Sequence, residues 1–253
     1  MIEVRNVYKS FGSLSVLEDV SLTVQDEETL AIIGKSGSGK SVLMKHLMGL
    51  IKPDKGEVIV DGTDINAVSY QELRDLRQRF GMLFQGGALF DSMNVFDNVA
   101  FPLRTFSPLP EDEVRARVRE NLAEVQLEGV EDKAPSELSG GMKKRVALAR
   151  AVALKPQYII YDEPTSGLDP ETSNTINELI RSLSEQSNIT SIVVTHDMHS
   201  VLSIADRAAF IHDQRIRWLG TIDELHTAED PVLNGFVRAS EYQIGKPAAA
   251  TNK

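Results

Sequence analysis

The chain has 253 residues, 42% of them apolar and 25% charged, with no cysteine and a formal net charge of −10. That length suits one large α/β domain, or a domain with an inserted subdomain. The missing cysteines exclude disulfides and thiolate metal sites. The charge argues against a nucleic-acid scaffold, and no apolar run approaches the roughly 18 residues of a bilayer-spanning helix.

The start, Met1-Ile2-Glu3-Val4-Arg5-Asn6, lacks the apolar core of a signal peptide. A cytoplasmic location is expected, so any membrane part must come from another chain. Residues 1–33 read as strands: Glu3–Tyr8 and Val20–Val24 alternate, with Phe11-Gly12 at a turn between them. Thr29-Leu30-Ala31-Ile32-Ile33 is a buried strand, and Val42–Leu50 reads as a helix ending near Gly49. Glu57–Val60 then Asp61-Gly62 predict a strand and tight turn. Ser69-Tyr70-Gln71-Glu72 is a capping box opening a short helix to about Arg79. Gly81–Gln85 is a further strand.

Residues 86–135 change to helical patterns punctuated by Pro102, Pro108 and Pro110, and predict an inserted helical subdomain. Its charged helix around 111–125 reads as a solvated face. Ser139-Gly140-Gly141 leads into another helix, Tyr158–Glu163 is a buried strand ending in two carboxylates, and a helix follows Pro170. Ser191–His196 is a third buried strand. The short apolar runs 30–33, 158–161 and 191–195 suit a parallel sheet covered on both faces. Residues 207–220 read as a final pair of strands, 221–239 as two short helices, and 240–253 as a flexible tail. The expected organisation is a single domain over 1–239. Its α/β core comprises 1–85 and 136–220, with the helical subdomain at 86–135 and C-terminal helices at 221–239.

The chemistry begins at Gly34-Lys35-Ser36-Gly37-Ser38-Gly39-Lys40-Ser41, which reads G-x-x-x-x-G-K-S between a strand and a helix. In such a loop, successive main-chain N–H groups cradle phosphate oxygens, and the following helix aims its positive end at them. Lys40 is expected to reach the β- and γ-phosphates and Ser41 to ligate Mg²⁺. Asp162 and Glu163 end an apolar strand, and successive strand side chains diverge. Asp162 is assigned to Mg²⁺ and Glu163 to orienting or deprotonating the attacking water. Gln85 and His196 end strands on the same carboxyl edge, where ligands bind in open α/β sheets. His196 is read as a γ-phosphate contact, and Gln85 as a ligand of Mg²⁺ or the water. For Ser139-Gly140-Gly141 the residues alone favour a helix cap over a second anion site. Phe11 is either an ordinary turn residue or an aromatic face for a base.

Gly34–Ser41, Gln85, Leu138-Ser139-Gly140-Gly141, Asp162-Glu163, Ser166-Gly167-Leu168-Asp169 and His196 together resemble an ATP-binding cassette (ABC) transporter ATPase over roughly residues 1–225. The resemblance implies a P-loop NTPase fold: a mainly parallel sheet, an N-terminal antiparallel β part and an inserted α-helical subdomain. It implies a head-to-tail homodimer that holds ATP and Mg²⁺ between one subunit's phosphate loop and the other's Ser139, Gly140 and Gly141. Asp169 would connect the two sites, and Phe11 falls at the adenine-stacking aromatic. Gln85 begins a loop that senses Mg²⁺ and the membrane subunit, and residues 86–135 would receive a coupling helix from an integral permease.

A narrower likeness lies in Phe84–Met93, Asn98–Leu103, Met142-Lys143-Lys144-Arg145 and Ser41-Val42-Leu43. These stretches resemble the ATPases of the Mla/Mce lipid-transport branch. That resemblance implies phospholipid movement between bacterial membranes, with a permease and a periplasmic lipid-binding (Mce-type) protein as partners, and a place on the cytoplasmic face of the inner membrane. Three rivals share the chemistry: an importer of a small polar solute, an ATPase that signals through a membrane protein, and a soluble ABC ATPase acting on nucleic acid or ribosomes. A single cassette without a coiled-coil insert, and the negative charge, make the last the weakest.

Overall fold

The computed structural model describes residues 1–240; the expected tail, apart from Ser240, lies outside the described residues. Strands β1 (Ile2–Phe11), β2 (Leu14–Val24), β4 (Lys55–Val60) and β5 (Thr63–Asp64) form an antiparallel sheet in the order β2-β1-β4-β5. A second sheet contains β3 (Thr29–Ile33), β6 (Phe80–Leu83), β7 (Tyr158–Asp162), β8 (Thr190–Thr195), β9 (Arg207–His212) and β10 (Arg215–Thr221). Its order is β10-β9-β3-β8-β7-β6, and only β10 runs antiparallel to its neighbour.

The parallel strands are apolar throughout because each face meets a different layer. Leu30 and Ile32 of β3, with Tyr158 and Ile160 of β7, pack towards the first sheet and α1 (Lys40–Leu47). Ala31 and Ile33 turn instead to α7 (Met198–Ile204), α8 (Ile222–Thr227) and α9 (Pro231–Ala239). Ile159 and Tyr161 join a third cluster with the helices α3 (Val95–Phe106), α4 (Glu111–Glu124), α5 (Gly140–Val152) and α6 (Pro170–Ser187). The charged helix α4 is solvated on one side only; Val114, Val118 and Leu122 are buried. The apolar core of the 86–135 region therefore runs on through α5 without a break.

Capping follows the expected chemistry. Ser69 and Glu72 form the reciprocal capping box of α2 (Tyr70–Arg77). Register then fixes the site. Ile33 pairs with Thr195, Val194 with Asp162, and Tyr161 with Leu83. The loops after β3, β6, β7 and β8 consequently leave from one edge of the sheet.

Candidate active site

A cavity of about 600 Å³ opens on that edge. Lys35, Ser36, Gly37, Gly39, Lys40 and Ser41 line one wall, and Gln85, Asp162, Glu163 and His196 line the other. The loop wall is shaped by Gly39, whose φ of +104° is open to few side chains. A Cβ there would also lie 2.8 Å from Leu17 and 2.9 Å from the Val16 carbonyl, so β2 packs directly behind the loop. Gly34 and Ser38 support the wall from behind. The Gly34 carbonyl accepts a bond from Lys40 Nζ at 2.7 Å, and Ser38 Oγ is buried without a partner among the described residues.

Lys40 is 8% exposed, and its ammonium also donates to the Lys35 carbonyl at 3.2 Å. Burial lowers its pKa, against the pull of Glu163 and Asp162. Across the cavity, burial and the neighbouring Glu163 raise the Asp162 pKa, against Lys144, Lys40 and Lys45. Two adjacent carboxylates in a half-buried site are short of positive charge, which a divalent cation can supply. Among the described residues no group of three or more His, Asp or Glu could hold a metal by itself. Ser41, Asp162 and Gln85 fit an ion that completes its shell with phosphate oxygens and water, the usual habit of Mg²⁺.

Glu163 is held tightly. Its φ of +47° is a left-handed conformation rare for a residue with a side chain. Its N–H donates to the Val194 carbonyl at 2.8 Å. Thr195 Oγ1 donates to Glu163 Oε2 at 3.1 Å, and His196 Nδ1 lies 2.9 Å from Oε1. The His196 ring is otherwise open, 65% exposed towards the cavity mouth. Gln85 stands two residues beyond the end of β6, and its Nε2 donates to Ser166 Oγ at 3.5 Å. A phosphate chain in this cavity meets main-chain N–H groups, an ammonium and a helix N-terminus on one side. On the other it meets two adjacent carboxylates, Asp162 and Glu163, the second of them held by Thr195 and His196.

Five expected residues, Phe11, Ser139, Gly140, Gly141 and Asp169, lie apart from the cavity. Ser139 caps α5, its Oγ accepting from the Met142 N–H at 3.2 Å, which is the reading that the residues alone favour. Asp169 caps α6 through the Thr172 N–H at 2.9 Å and hydroxyl at 2.6 Å, and these bonds lower its pKa. The two caps are neighbours: a Cβ on Gly141 would collide with Thr172, and one on Gly140 would touch Leu168. Ser139, Gly140 and Asp169 thus lie exposed on one platform within a single chain, with Gly141 buried against Thr172 beneath them. Phe11 sits at the β1–β2 hairpin, half exposed and outside the cavity lining, with Lys9 Nζ 5.5 Å over its ring.

Sequence reasoning missed Val16, Phe236, Ala239 and Ser240, which also line the cavity. It also missed Thr195, which orients Glu163, and Lys144, which lies beneath it. Lys144 had a signal: Gly141, Lys144, Leu148 and Ala151 recur at helical spacing on the buried face of α5.

The profile of the ABC transporter family matches residues 17–166. The chain is 45% identical over 236 residues to the probable ribonucleotide transport ATP-binding protein mkl of Mycobacterium tuberculosis. That match takes in 93% of this chain but 66% of the mycobacterial protein, so the chain spans just under two thirds of that relative's length. It is 46% identical to the intermembrane phospholipid transport system ATP-binding protein MlaF of Haemophilus influenzae, over 94% of this chain and 90% of that one. Among solved structures, the dimeric post-hydrolysis state of the ATP-binding cassette MJ0796 bound to ADP and Pi superposes with a TM-score of 0.80. It is 32% identical, over 88% of this chain and 99% of that chain.

Proposed function

The chain belongs to the ABC transporter family, and from that premise we propose that it is the ATP-binding and hydrolysing subunit of a bacterial inner-membrane transporter that moves phospholipid between inner and outer membranes. The observation that carries the catalytic part is the fixed Glu163 carboxylate facing Lys40 across a phosphate-sized cavity. Lys40, the loop N–H groups and the N-terminus of α1 bind the phosphates. Ser41, Asp162 and Gln85 hold Mg²⁺, which when bound neutralises charge on the β- and γ-phosphate oxygens. Glu163 takes a proton from, or orients, the attacking water; His196 contacts the γ-phosphate from the rim. Phe11 stacks on adenine beyond the mouth of the cavity.

Two copies complete the site. The helix N-terminus Ser139–Gly141, exposed at Ser139 and Gly140, covers the partner's γ-phosphate, and Asp169 beside it links the paired sites. ATP closes the pair and hydrolysis reopens it, so each state biases a two-state permease differently. Ser139→Arg separates this reading from a simple cap. It is expected to leave ATP binding by each chain intact and to abolish ATP-driven pairing, read by size-exclusion chromatography with and without ATP. Normal pairing would return Ser139 to the cap role alone.

The permease surface is an apolar groove of about 630 Å³ next to the Gln85 loop. Tyr70, Phe84, Phe90, Phe101 and Phe106 are exposed along it, more aromatic surface than a solvated face needs. Among the described residues no helix is long and apolar enough to cross a membrane. The exposed rings support this groove as the place where a membrane subunit's helix docks, and in this reading the chain works at the cytoplasmic face.

The cargo rests on the likeness to MlaF. The name of the mycobacterial relative favours a second reading, import of a polar solute. Membranes expressing Glu163→Gln are extracted with ATP present, and bound proteins and lipids are identified. A multi-pass permease, a periplasmic lipid-binding protein and co-purifying phospholipid are expected, and Phe101→Asp in the same background loses all three. A permease with a solute-binding protein and no lipid would overturn the cargo. A membrane regulator would move the function to signalling.

A further inference from the structure

Helix α5 carries an ammonium group into the protein. Lys144 is 4% exposed, and its Nζ donates to two main-chain carbonyls, those of Gln85 and of Glu163, the latter at 3.2 Å. Burial lowers the Lys144 pKa, and Asp162 and Glu163 pull it back up. An ammonium is desolvated only where partners replace water. Here the partners are two main-chain carbonyls behind the cavity's acidic wall, those of Gln85 and Glu163.

The bond to Glu163 matters because of the conformation that it holds. Glu163 has φ +47°, and its peptide is tied at the nitrogen by Val194 and at the carbonyl by Lys144 and by the Ser166 N–H, both at 3.2 Å. Backbone angles set where the carboxylate points, so the second tie helps to aim it. The same ammonium holds the loop that presents the Gln85 side chain. Five residues back along α5, and thus on a rigid rod, stands the Ser139 cap of the exposed platform.

We propose that Lys144 is a positioning residue that fixes the main chains of Glu163 and Gln85 to helix α5. A phosphate engaged at Ser139–Gly141 from a second subunit is thereby registered at this subunit's own water-orienting carboxylate. The inference rests on the reading of Glu163 given above. A lysine that merely fills space would matter for folding and not for the chemical step.

Lys144→Met keeps the length of the stem and removes charge and donors; Lys144→Arg keeps both. The purified full-length chain is assayed for steady-state ATP hydrolysis, binding of a fluorescent ATP analogue, and Tm. In Lys144→Met, kcat falls about tenfold or more, since small misplacements of reacting groups are costly, while nucleotide Kd moves less than about twofold and Tm stays close to the parent. Lys144→Arg recovers much of the lost rate. Unchanged kcat in Lys144→Met, or kcat, Kd and Tm failing together in both variants, overturns the proposal. Should Lys144→Met not fold, Lys144→Gln, neutral but still a donor, replaces it in the same comparison. Glu163→Gln is assayed beside them. Normal hydrolysis in Glu163→Gln removes the reading of that carboxylate and this proposal with it. Loss there, with normal hydrolysis in Lys144→Met, removes this proposal alone.

Discussion

Glu163→Gln is expected to bind ATP about as tightly as the parent chain and to hydrolyse it about 10²–10⁴-fold more slowly, the range that a positioned general base contributes. The separation of binding from chemistry follows from the geometry. The groups facing a phosphate chain lie on the loop Gly34–Ser41 and at the start of α1, on the far wall of the cavity. The glutamine amide keeps the carboxylate's shape, and its oxygen can still accept from Thr195, which now bonds Glu163 Oε2 at 3.1 Å. What it loses is basicity. A nearly isosteric change that leaves the His196 and Thr195 partners in place should not disturb the left-handed backbone at position 163. Since hydrolysis reopens the pair, the variant should also accumulate as an ATP-bound dimer, visible as a shift in elution volume with ATP and none with ADP. Rapid phosphate release by Glu163→Gln would move the proton-accepting role elsewhere, with His196 the nearest candidate at 2.9 Å.

The parts of this site visible in the sequence share a physical cause. Strand–loop–helix order and short continuous apolar runs are local, and the parallel pairing of β3 with β8 and of β8 with β7 converts them into one edge. Gly34–Ser41, Asp162, Glu163 and His196 are therefore legible from the sequence as neighbours on one edge. What escaped is set by tertiary packing. Val16 reaches the loop because β2 folds behind it, and Gly39 has room for nothing larger. Phe236, Ala239 and Ser240 arrive from α9, at the far end of the described chain. Lys144 was hidden by composition, since Lys143-Lys144-Arg145 looks like an exposed basic run. Only the position of Lys144 among Gly141, Leu148 and Ala151 betrays its burial. Ser139 shows the opposite limit: its Oγ accepts the Met142 N–H, one of the free donors of a helix N-terminus, as an ordinary cap does. The cap alone therefore does not reveal that a second subunit could use the same terminus.

Lys40→Ala should lose nucleotide affinity by about 10²-fold or more, the scale of two or more hydrogen bonds to a charged group. Lys40 Nζ is bonded at 2.7 Å to Gly34 O and at 3.2 Å to Lys35 O, so the loop is held in shape by the same ammonium that must meet the phosphates. Its removal therefore acts twice. The phosphates lose their principal counter-charge, and the Asp162–Glu163 pair opposite is left to repel them. Electrostatics also gives the sign of the stability change. Burial depresses the Lys40 pKa in the folded chain, so the protonated form is disfavoured by folding. That cost is present below the folded-state pKa and fades as pH rises through it. Lys40→Met, which fills the same space without charge, relieves that cost but leaves the Gly34 and Lys35 carbonyls without their donor, so its melting temperature at neutral pH should stay near the parent's while it binds nucleotide as poorly as Lys40→Ala. Calorimetric titration with ATP and Mg²⁺, beside thermal denaturation of the nucleotide-free chain, separates the two quantities. Unchanged affinity would sink the phosphate-loop reading. Affinity lost only together with folding would reduce Lys40 to a structural strut of its own loop.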